Sequence, residues 1–307
     1  MCNGIRIVAT GLDVPEKIMS SEDFEKIVET SDEWIRTRTG IKNRHFLCAG
    51  ETHLDMAMRA ALKAIDSAGI DRQQIGTVLV ATFASDQYVP SCAALLQERL
   101  GLSEDVLAYD LNAACSGFMF GLESVRGILS VSEKPYALLV GAEALSRRLD
   151  MTDRSTCILF GDGAGAAIVE KSDRPAVISC RTRGDITKIL VDRYVHMDGQ
   201  GVYKFAVKEV PKLIEEVLAK AGVSADEVDH FICHQANARI LQSVAKSLDQ
   251  PMEKFYQNLQ EFGNTSAASV PIVMAQMNDL GLLKRGERVV LAGFGAGLTW
   301  SVATFLW

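Results

Sequence analysis

Cys115 lies in Tyr109-Asp110-Leu111-Asn112-Ala113-Ala114-Cys115-Ser116-Gly117-Phe118. There an apolar strand pattern over Val106 to Leu111 gives way to helical spacing at Phe118, Leu122, Val125 and Leu129. A thiol in the first turn of a buried helix faces unpaired main-chain N–H groups and the positive end of the helix dipole. Both favour thiolate, the form that attacks carbon. The plainer alternative is a small buried Cys filling a tight turn. His234 follows the apolar run Phe231-Ile232-Cys233 and opens a helical pattern from Gln235 to Leu241. Asn264 follows Gly263 and precedes Thr265-Ser266-Ala267-Ala268-Ser269-Val270-Pro271. A structural histidine at a strand end and an asparagine N-cap are good local accounts of these two. If a Cys, a His and an Asn converge in space, however, they form a signature of nucleophilic catalysis.

The elements that must bring them together alternate between strand and helix patterns, which predicts an α/β fold. An internal repeat runs through them. Ala61 to Ala81 (ALKAIDSAGIDRQQIGTVLVA) matches Ile214 to His234 (IEEVLAKAGVSADEVDHFICH). Ala68-Gly69 corresponds to Ala221-Gly222, and Val78-Leu79-Val80 to Phe231-Ile232-Cys233. Leu100 to Leu111, a turn and then a strand, resembles Leu248 to Leu259, and Lys134 to Gly141 resembles Gly286 to Gly293. Each of the last two leads to a further strand, Ala166 to Val169 and Trp300 to Phe305. The reading is two pseudo-symmetric halves, residues 1–170 carrying the Cys and 171–307 carrying the His and Asn. Packed together, such halves bring the carboxyl ends of their strands to one crevice, where ligands bind.

Composition narrows the function classes. With 307 residues, 48% of them hydrophobic, the chain suffices for one large domain or two fused halves. A net charge of −7 gives no support to nucleic-acid binding. No apolar run is long enough to span a bilayer, so membrane insertion is not expected. The stretch Met1 to Gly11 reads as a short strand, without the basic start and apolar core of a signal peptide. The seven cysteines (Cys2, Cys48, Cys92, Cys115, Cys157, Cys180 and Cys233) form no CxxC pair. Neither a zinc site nor a disulfide framework is expected, and a reducing cytoplasm fits best. Gly161-Asp162-Gly163-Ala164-Gly165 is a poor dinucleotide fingerprint, because a β-type run follows it; it reads as a tight connection in the core.

Six segments together resemble β-ketoacyl-acyl-carrier-protein synthase III, a condensing enzyme on the thiolase fold, over nearly the whole length. They are Ser31 to Ile41 (SDEWIRTRTGI), Asn112 to Phe118 (NAACSGF), Phe160 to Ala166 (FGDGAGA), His234 to Asn237 (HQAN), Gly263 to Pro271 (GNTSAASVP) and Phe294 to Trp300 (FGAGLTW). The resemblance implies a layered α-β-α-β-α arrangement and a homodimer. It implies decarboxylative condensation of an acyl-CoA with malonyl-acyl-carrier protein, through an acyl group on Cys115. His234 and Asn264 would serve the decarboxylation, and Phe294 and Gly297 would belong to the loop that completes the oxyanion site. No permanently bound cofactor or metal is implied; acyl-CoA and the acyl-carrier protein are substrates and partners. Thiolases of this fold carry a second catalytic Cys where Ala296 stands.

The resemblance also places Trp34 and Arg38 about the adenine of coenzyme A, with Thr30 and Arg154 nearby and Ala236 and Asn237 further along the site. Gln200 and Tyr203 replace the family's Asn and Phe in the run Met197 to Lys204. Residues 171–196 form a shorter stretch than the family usually has. Acyl-carrier proteins are acidic, and Arg239, Lys246 and Lys204 are the cations expected to attract one. In Asp86 to Ser91 (DQYVPS), the segment that would cross the dimer interface and cap the acyl pocket, Val89 stands where a bulky Phe is common. A smaller cap would admit longer or branched primers. Competing readings are a 3-oxoacyl synthase of secondary metabolism with the same triad, a cysteine hydrolase, and a non-catalytic acyl-carrier or coenzyme A binding protein.

Overall fold

The computed structural model describes residues 4–307; Cys2 and the start of the expected N-terminal strand lie outside the described residues. The first sheet takes the order β1-β7-β6-β4-β5, from Gly4–Asp13, Gly163–Ser172, Tyr136–Glu143, Ile75–Ala81 and Leu107–Leu111. The second takes the order β8-β13-β12-β11, from Val177–Asp185, Gly297–Leu306, Arg288–Gly295 and His230–Cys233. The senses match strand for strand. β1/β7 and β8/β13 are antiparallel, as are β6/β7 and β12/β13, while β4/β6 and β11/β12 are parallel. Two hairpins lie outside the sheets, β2 with β3 (Lys17–Ser20, Asn43–Phe46) and β9 with β10 (Ile189–Val191, Val195–Met197).

The strands β4, β6, β7, β11, β12 and β13 are buried on both faces, so their side chains sort into layers by alternation. Leu79 and Leu139 of the first sheet and Ile232 and Leu291 of the second point inward. They pack on two central helices, α4 (Gly117–Val131) and α7 (Ser269–Asp279), through Phe118, Leu122, Val270 and Val273. The alternate residues Val78, Val80, Leu138 and Val140 face outward onto α2 (His53–Ala68) and α3 (Cys92–Arg99). Phe231, Val290 and Val302 face outward onto α5 (Gly199–Ala221) and α6 (Ala238–Ser247). The result is the five-layer α-β-α-β-α thiolase fold. The equivalent helices α2 and α5 both end at a glycine in the left-handed region, Gly69 (φ +62°) and Gly222 (φ +67°), as the Ala-Gly signals of the repeat require.

One expected correspondence fails. The segment matched to β5, Leu248 to Leu259, forms a 3-10 turn at Met252–Lys254 and no strand. Phe255 instead stacks on Phe231, with ring centroids 4.6 Å apart. Pro251 removes one ladder donor from this stretch, and its apolar residues serve the outer core rather than a sheet edge. The glycine-rich run 161–165 does connect into a strand, β7, and Asp162 is buried there. Its carboxylate accepts from the Leu47 and Ser146 main-chain N–H groups and from the Ser146 hydroxyl.

Candidate active site

Cys115 sits in a 3-10 turn, Ala114–Ser116, that runs directly into α4. The turn is fixed by its own polar atoms. Asn112 Oδ1 accepts the Ala114 N–H (3.1 Å), the Ser116 hydroxyl donates to the Thr299 carbonyl (2.9 Å), and the Thr299 hydroxyl is shared between the Ala296 (2.8 Å) and Ala113 (3.1 Å) carbonyls. Ala114 adopts φ +46°, which aims the following residue out of the turn. At the end of β12, Gly295 has to be glycine, because a Cβ there would stand 2.7 Å from the Cys115 Cβ and 3.0 Å from Sγ.

The thiol is not held ionised, contrary to the expectation from its place at a helix start. Burial pushes it up to about 12; the polar Ser266 hydroxyl lowers it, and the nearby Glu143 carboxylate raises it further. Desolvation of a thiolate outweighs the few donors of one helix end.

The second half repeats the turn. Asn264 precedes the 3-10 turn Ser266–Ala268, which runs into α7, and Ser266 adopts φ +50° as Ala114 does. Asn264 Oδ1 accepts the Ser266 N–H at 2.9 Å, as Asn112 does for Ala114. That bond takes the amide oxygen and leaves Nδ2 as the free donor. The main chain of Asn264 is pinned to Leu159 and Gly161 by bonds of 2.9 and 3.0 Å.

His234 extends β11 by one residue, its N–H donating to the Ala292 carbonyl at 2.7 Å. Burial pushes its pKa down to about 3, so the imidazole is neutral at physiological pH. Nδ1 lies 2.9 Å from the Ser269 hydroxyl, which also accepts the Gln235 N–H at 2.8 Å. Among the described residues no other acceptor is bonded to that hydroxyl, so its proton goes to Nδ1. The tautomer that satisfies all three groups carries its proton on Nε2. Phe294 packs edge-on against the ring, with centroids 5.1 Å apart. The helix expected from Gln235 begins only at Ala238, because Asn237 caps it by accepting the Arg239 N–H at 2.9 Å.

Cys115, His234 and Asn264 line one cavity of about 1220 Å³. Phe294, Gly297, Trp34, Arg38, Gln200, Tyr203, Lys204, Ala236, Asn237 and Arg239 line it too. The guanidinium groups of Arg38 and Arg154 lie 5.5 and 5.0 Å from the Trp34 ring centre, so the ring already sits among cations. Asn237 donates to the Arg38 carbonyl (3.1 Å) and Arg239 to the Thr37 carbonyl (2.8 Å), tying α6 to α1 (Asp32–Thr39). The Tyr203 hydroxyl lies 2.9 Å from that of Ser243, which holds α5 against α6.

Four of the expected residues lie outside the cavity wall. Thr30 has its hydroxyl oxygen buried without a partner, Arg154 donates to the Glu29 carbonyl at 2.7 Å, and Lys246 is exposed on α6. Val89 is 86% exposed. Sequence reasoning missed the β9–β10 hairpin, whose Ile189, Val191, Val195 and Met197 line the cavity, and Arg148 beside it. The apolar run Ile189-Leu190-Val191 and the alternating Val195-His196-Met197, separated by a polar turn, were the available signal. Cations dominate the charged lining, with Arg38, Arg148, Lys204 and Arg239 against Asp192.

Comparison with known proteins gives a consistent result. Residues 109–185 match the family described as 3-Oxoacyl-[acyl-carrier-protein (ACP)] synthase III, and residues 218–307 match its C-terminal counterpart. The chain is 49% identical over 304 residues to the beta-ketoacyl-[acyl-carrier-protein] synthase III of Acholeplasma laidlawii, covering 97% of each. Its fold matches the crystal structure of 3-oxoacyl-[acyl-carrier-protein] synthase III from Aquifex aeolicus with a TM-score of 0.95 and 39% identity, over 99% of this chain and 100% of that one. It also matches the priming beta-ketosynthase of the R1128 polyketide biosynthetic pathway with a TM-score of 0.92 and 30% identity, over 98% and 96% of the two chains.

Proposed function

The chain belongs to the 3-oxoacyl-[acyl-carrier-protein] synthase III family, and from that premise we propose that it joins an acyl-CoA primer to malonyl-acyl-carrier protein through an acyl group carried on Cys115. It is an acyl-transferring condensing enzyme of fatty-acid synthesis. The observation that carries the residue assignment is that Cys115, His234 and Asn264 line one cavity, each delivered by a strand end or turn of its own half.

In the first step Cys115 Sγ attacks the acyl-CoA thioester and coenzyme A leaves as its thiol. The Cys115 N–H, with a main-chain N–H of the Gly295-Ala296-Gly297 turn, holds the tetrahedral oxyanion. Malonyl-acyl-carrier protein then enters. His234 Nε2–H and Asn264 Nδ2–H donate to its thioester oxygen. As the bond to the carboxylate breaks and CO2 leaves, charge collects on that oxygen, and two neutral donors stabilise it while leaving the carbanion reactive. The carbanion attacks the acyl thioester, the C–Sγ bond breaks, Sγ takes up a proton from water to restore the thiol, and 3-ketoacyl-acyl-carrier protein is released. A neutral His234 suits this role, since a protonated one would surrender its proton to the enolate.

Arg38 and Trp34 are assigned to the adenine, with Arg154 and Thr30 behind them. Gln200, Tyr203, Ala236 and Asn237 are assigned to the remaining coenzyme A arm. Lys204, Arg239 and Lys246 are assigned to the acidic carrier protein. We assign a second copy of the chain to the exposed Tyr88–Val89 loop, 81% and 86% exposed, with Val89 capping the acyl pocket of that copy. Among the described residues no helix is long and apolar enough to cross a membrane.

The test is to incubate the protein with labelled acyl-CoAs, digest it and map the modified residue, then add malonyl-acyl-carrier protein. Label on Cys115 followed by CO2 and a 3-ketoacyl product is expected. Absence of label from Cys115 overturns the covalent route.

A further inference from the structure

The residues that line the cavity fall into two groups of unlike chemistry. One is charged and polar: Arg38, Lys204 and Arg239 stand with Trp34, Tyr203 and Asn237, on α1, α5 and the start of α6. The other is apolar. Phe83, Ile158, Phe160, Ile189, Val191 and Val195 line the cavity and pack into a single hydrophobic cluster. A thioester of a phosphorylated carrier lies with its phosphates among the cations. Its acyl chain, on the far side of the thioester carbonyl, then enters the apolar group.

Two of the apolar residues are tied by main chain to the turns that carry Asn264 and Cys115. Phe160 forms a bridge with Asn264. Phe83 follows β4, which pairs in parallel with β5 as far as Ala81 opposite Leu111. The Thr82 N–H continues that ladder to the Leu111 carbonyl at 3.0 Å. From there one strand leads to Phe83 and the other to Asn112, Ala113 and Cys115, and all four line the cavity. Phe83 is thus the bulky side chain that the fold delivers beside the approach to the nucleophile.

Its main chain is held firmly. The Phe83 N–H donates to Glu143 Oε2 at 3.2 Å, and the Ala84 N–H is shared between that oxygen (3.1 Å) and the Thr82 hydroxyl oxygen (3.3 Å). Glu143, the last residue of β6, is fully buried, and its Oε1 lies 3.1 Å from the Ser266 hydroxyl of the other half. A carboxyl oxygen accepts from these N–H groups whether or not its partner oxygen carries a proton. A buried acid therefore pins the main chain of a residue whose ring faces the cavity.

We propose that Phe83 sets the length of acyl chain that Cys115 accepts and restricts this enzyme to short primers. The proposal rests on the reading of Cys115 as the acyl carrier. Leu145, Ile158 and Phe160 of the same cluster are themselves buried. Added methylenes fit only if this close-packed cluster gives way, and that costs free energy. Val89, 86% exposed and outside the cavity wall of its own chain, then closes a pocket whose depth Phe83 has already set.

The experiment is a single-turnover competition between acetyl-CoA and octanoyl-CoA at equal concentration. The acetyl and octanoyl forms of Cys115 are counted by mass spectrometry in the parent, Phe83→Ala and Phe83→Leu. The parent should carry acetyl over octanoyl by at least about tenfold. Phe83→Ala should raise the octanoyl-to-acetyl ratio by about tenfold or more. Phe83→Leu, which keeps most of the packing, should shift the ratio in the same direction and carries the test should Phe83→Ala fail to fold. The ratio is read within one preparation, so the folded fraction cancels. A Phe83 that only supports the fold lowers both forms alike, and an unchanged ratio overturns the proposal. A parent that carries octanoyl as readily as acetyl overturns it too. If the parent takes neither group on Cys115, the reading of Cys115 as acyl carrier fails and the proposal falls with it.

Discussion

At the scale of single residues, two of the three groups proposed for chemistry are each held in one state by their surroundings. Asn264 is oriented because its amide oxygen is used by its own turn. His234 is neutral because it is buried, and its tautomer follows from Ser269. Replacing His234 or Asn264 by Ala should remove one donor to the enolate and raise the decarboxylation barrier by about 3 kcal/mol, a loss of 100-fold or more. Cys115 acylation should survive in both. Measuring CO2 release and acyl-enzyme mass side by side checks this, and loss of acylation in both variants would refute the division of labour. Ser269→Ala should slow decarboxylation while sparing acylation, because Nδ1 then competes for the proton that Nε2 needs. A variant with unchanged CO2 release would show that Ser269 does not set the tautomer.

At the scale of elements, the 3-10 turns and the helices they lead into make the site. Each turn packs against the sheet of the other half, Cys115 on Gly295 of β12 and Ser266 on Glu143 of β6. Ala114 and Ser266 share a positive φ that a β-branched residue resists. Ala114→Val should therefore cost about 1–2 kcal/mol and slow Cys115 acylation, whereas Ala114→Gly should be close to neutral. Urea unfolding and acyl-enzyme formation, measured on both variants, separate strain from a simple loss of volume. Much at this scale was legible in the chain, because alternation and Ala-Gly stops leave strong local marks. The order of the strands in the two sheets follows the repeat, and the Cys, His and Asn fell at its junctions. What stayed hidden depends on burial rather than spacing. Glu143 reads as the polar end of an apolar strand, and nothing local says that it is desolvated. Ser266 and Ser269 sit within a recognisable run, yet which hydroxyl meets Glu143 and which meets His234 is decided only when α7 docks. The thiol was misjudged for the same reason: a helix start is visible in sequence, and the loss of water around it is not. The missing counterpart of β5 was misread because Phe255 had a better place in the outer core than at a sheet edge.

At the scale of the whole molecule, the buried site tilts stability with pH in two opposing directions. Glu143 is raised from 4.5 to about 8, so between those values the folded protein holds a proton that the unfolded chain has lost. Stability must fall as pH rises through that window, by about 1.4 kcal/mol per unit. His234 is lowered from 6.5 to about 3, so between those values the unfolded chain binds a proton that the folded protein refuses. Its contribution is complete above pH 6.5 and is lost as pH falls toward 3. His53, also lowered by burial, acts in the same direction. From about pH 4.5 to 6.5 the slopes of Glu143 and His234 oppose each other; above 6.5 the His234 slope has ended and that of Glu143 continues to about pH 8. Urea unfolding of the parent and of Glu143→Gln at pH 5, 6.5 and 8 isolates this group, since every other titration is common to both. The parent should lose on the order of 4 kcal/mol relative to the variant between pH 5 and pH 8. Parallel curves would mean that Glu143 titrates alike in the folded and unfolded states, and that its burial carries no cost. A widening gap would show that the folded state bears a destabilised acid beside Cys115, a cost that Gln in its place would relieve.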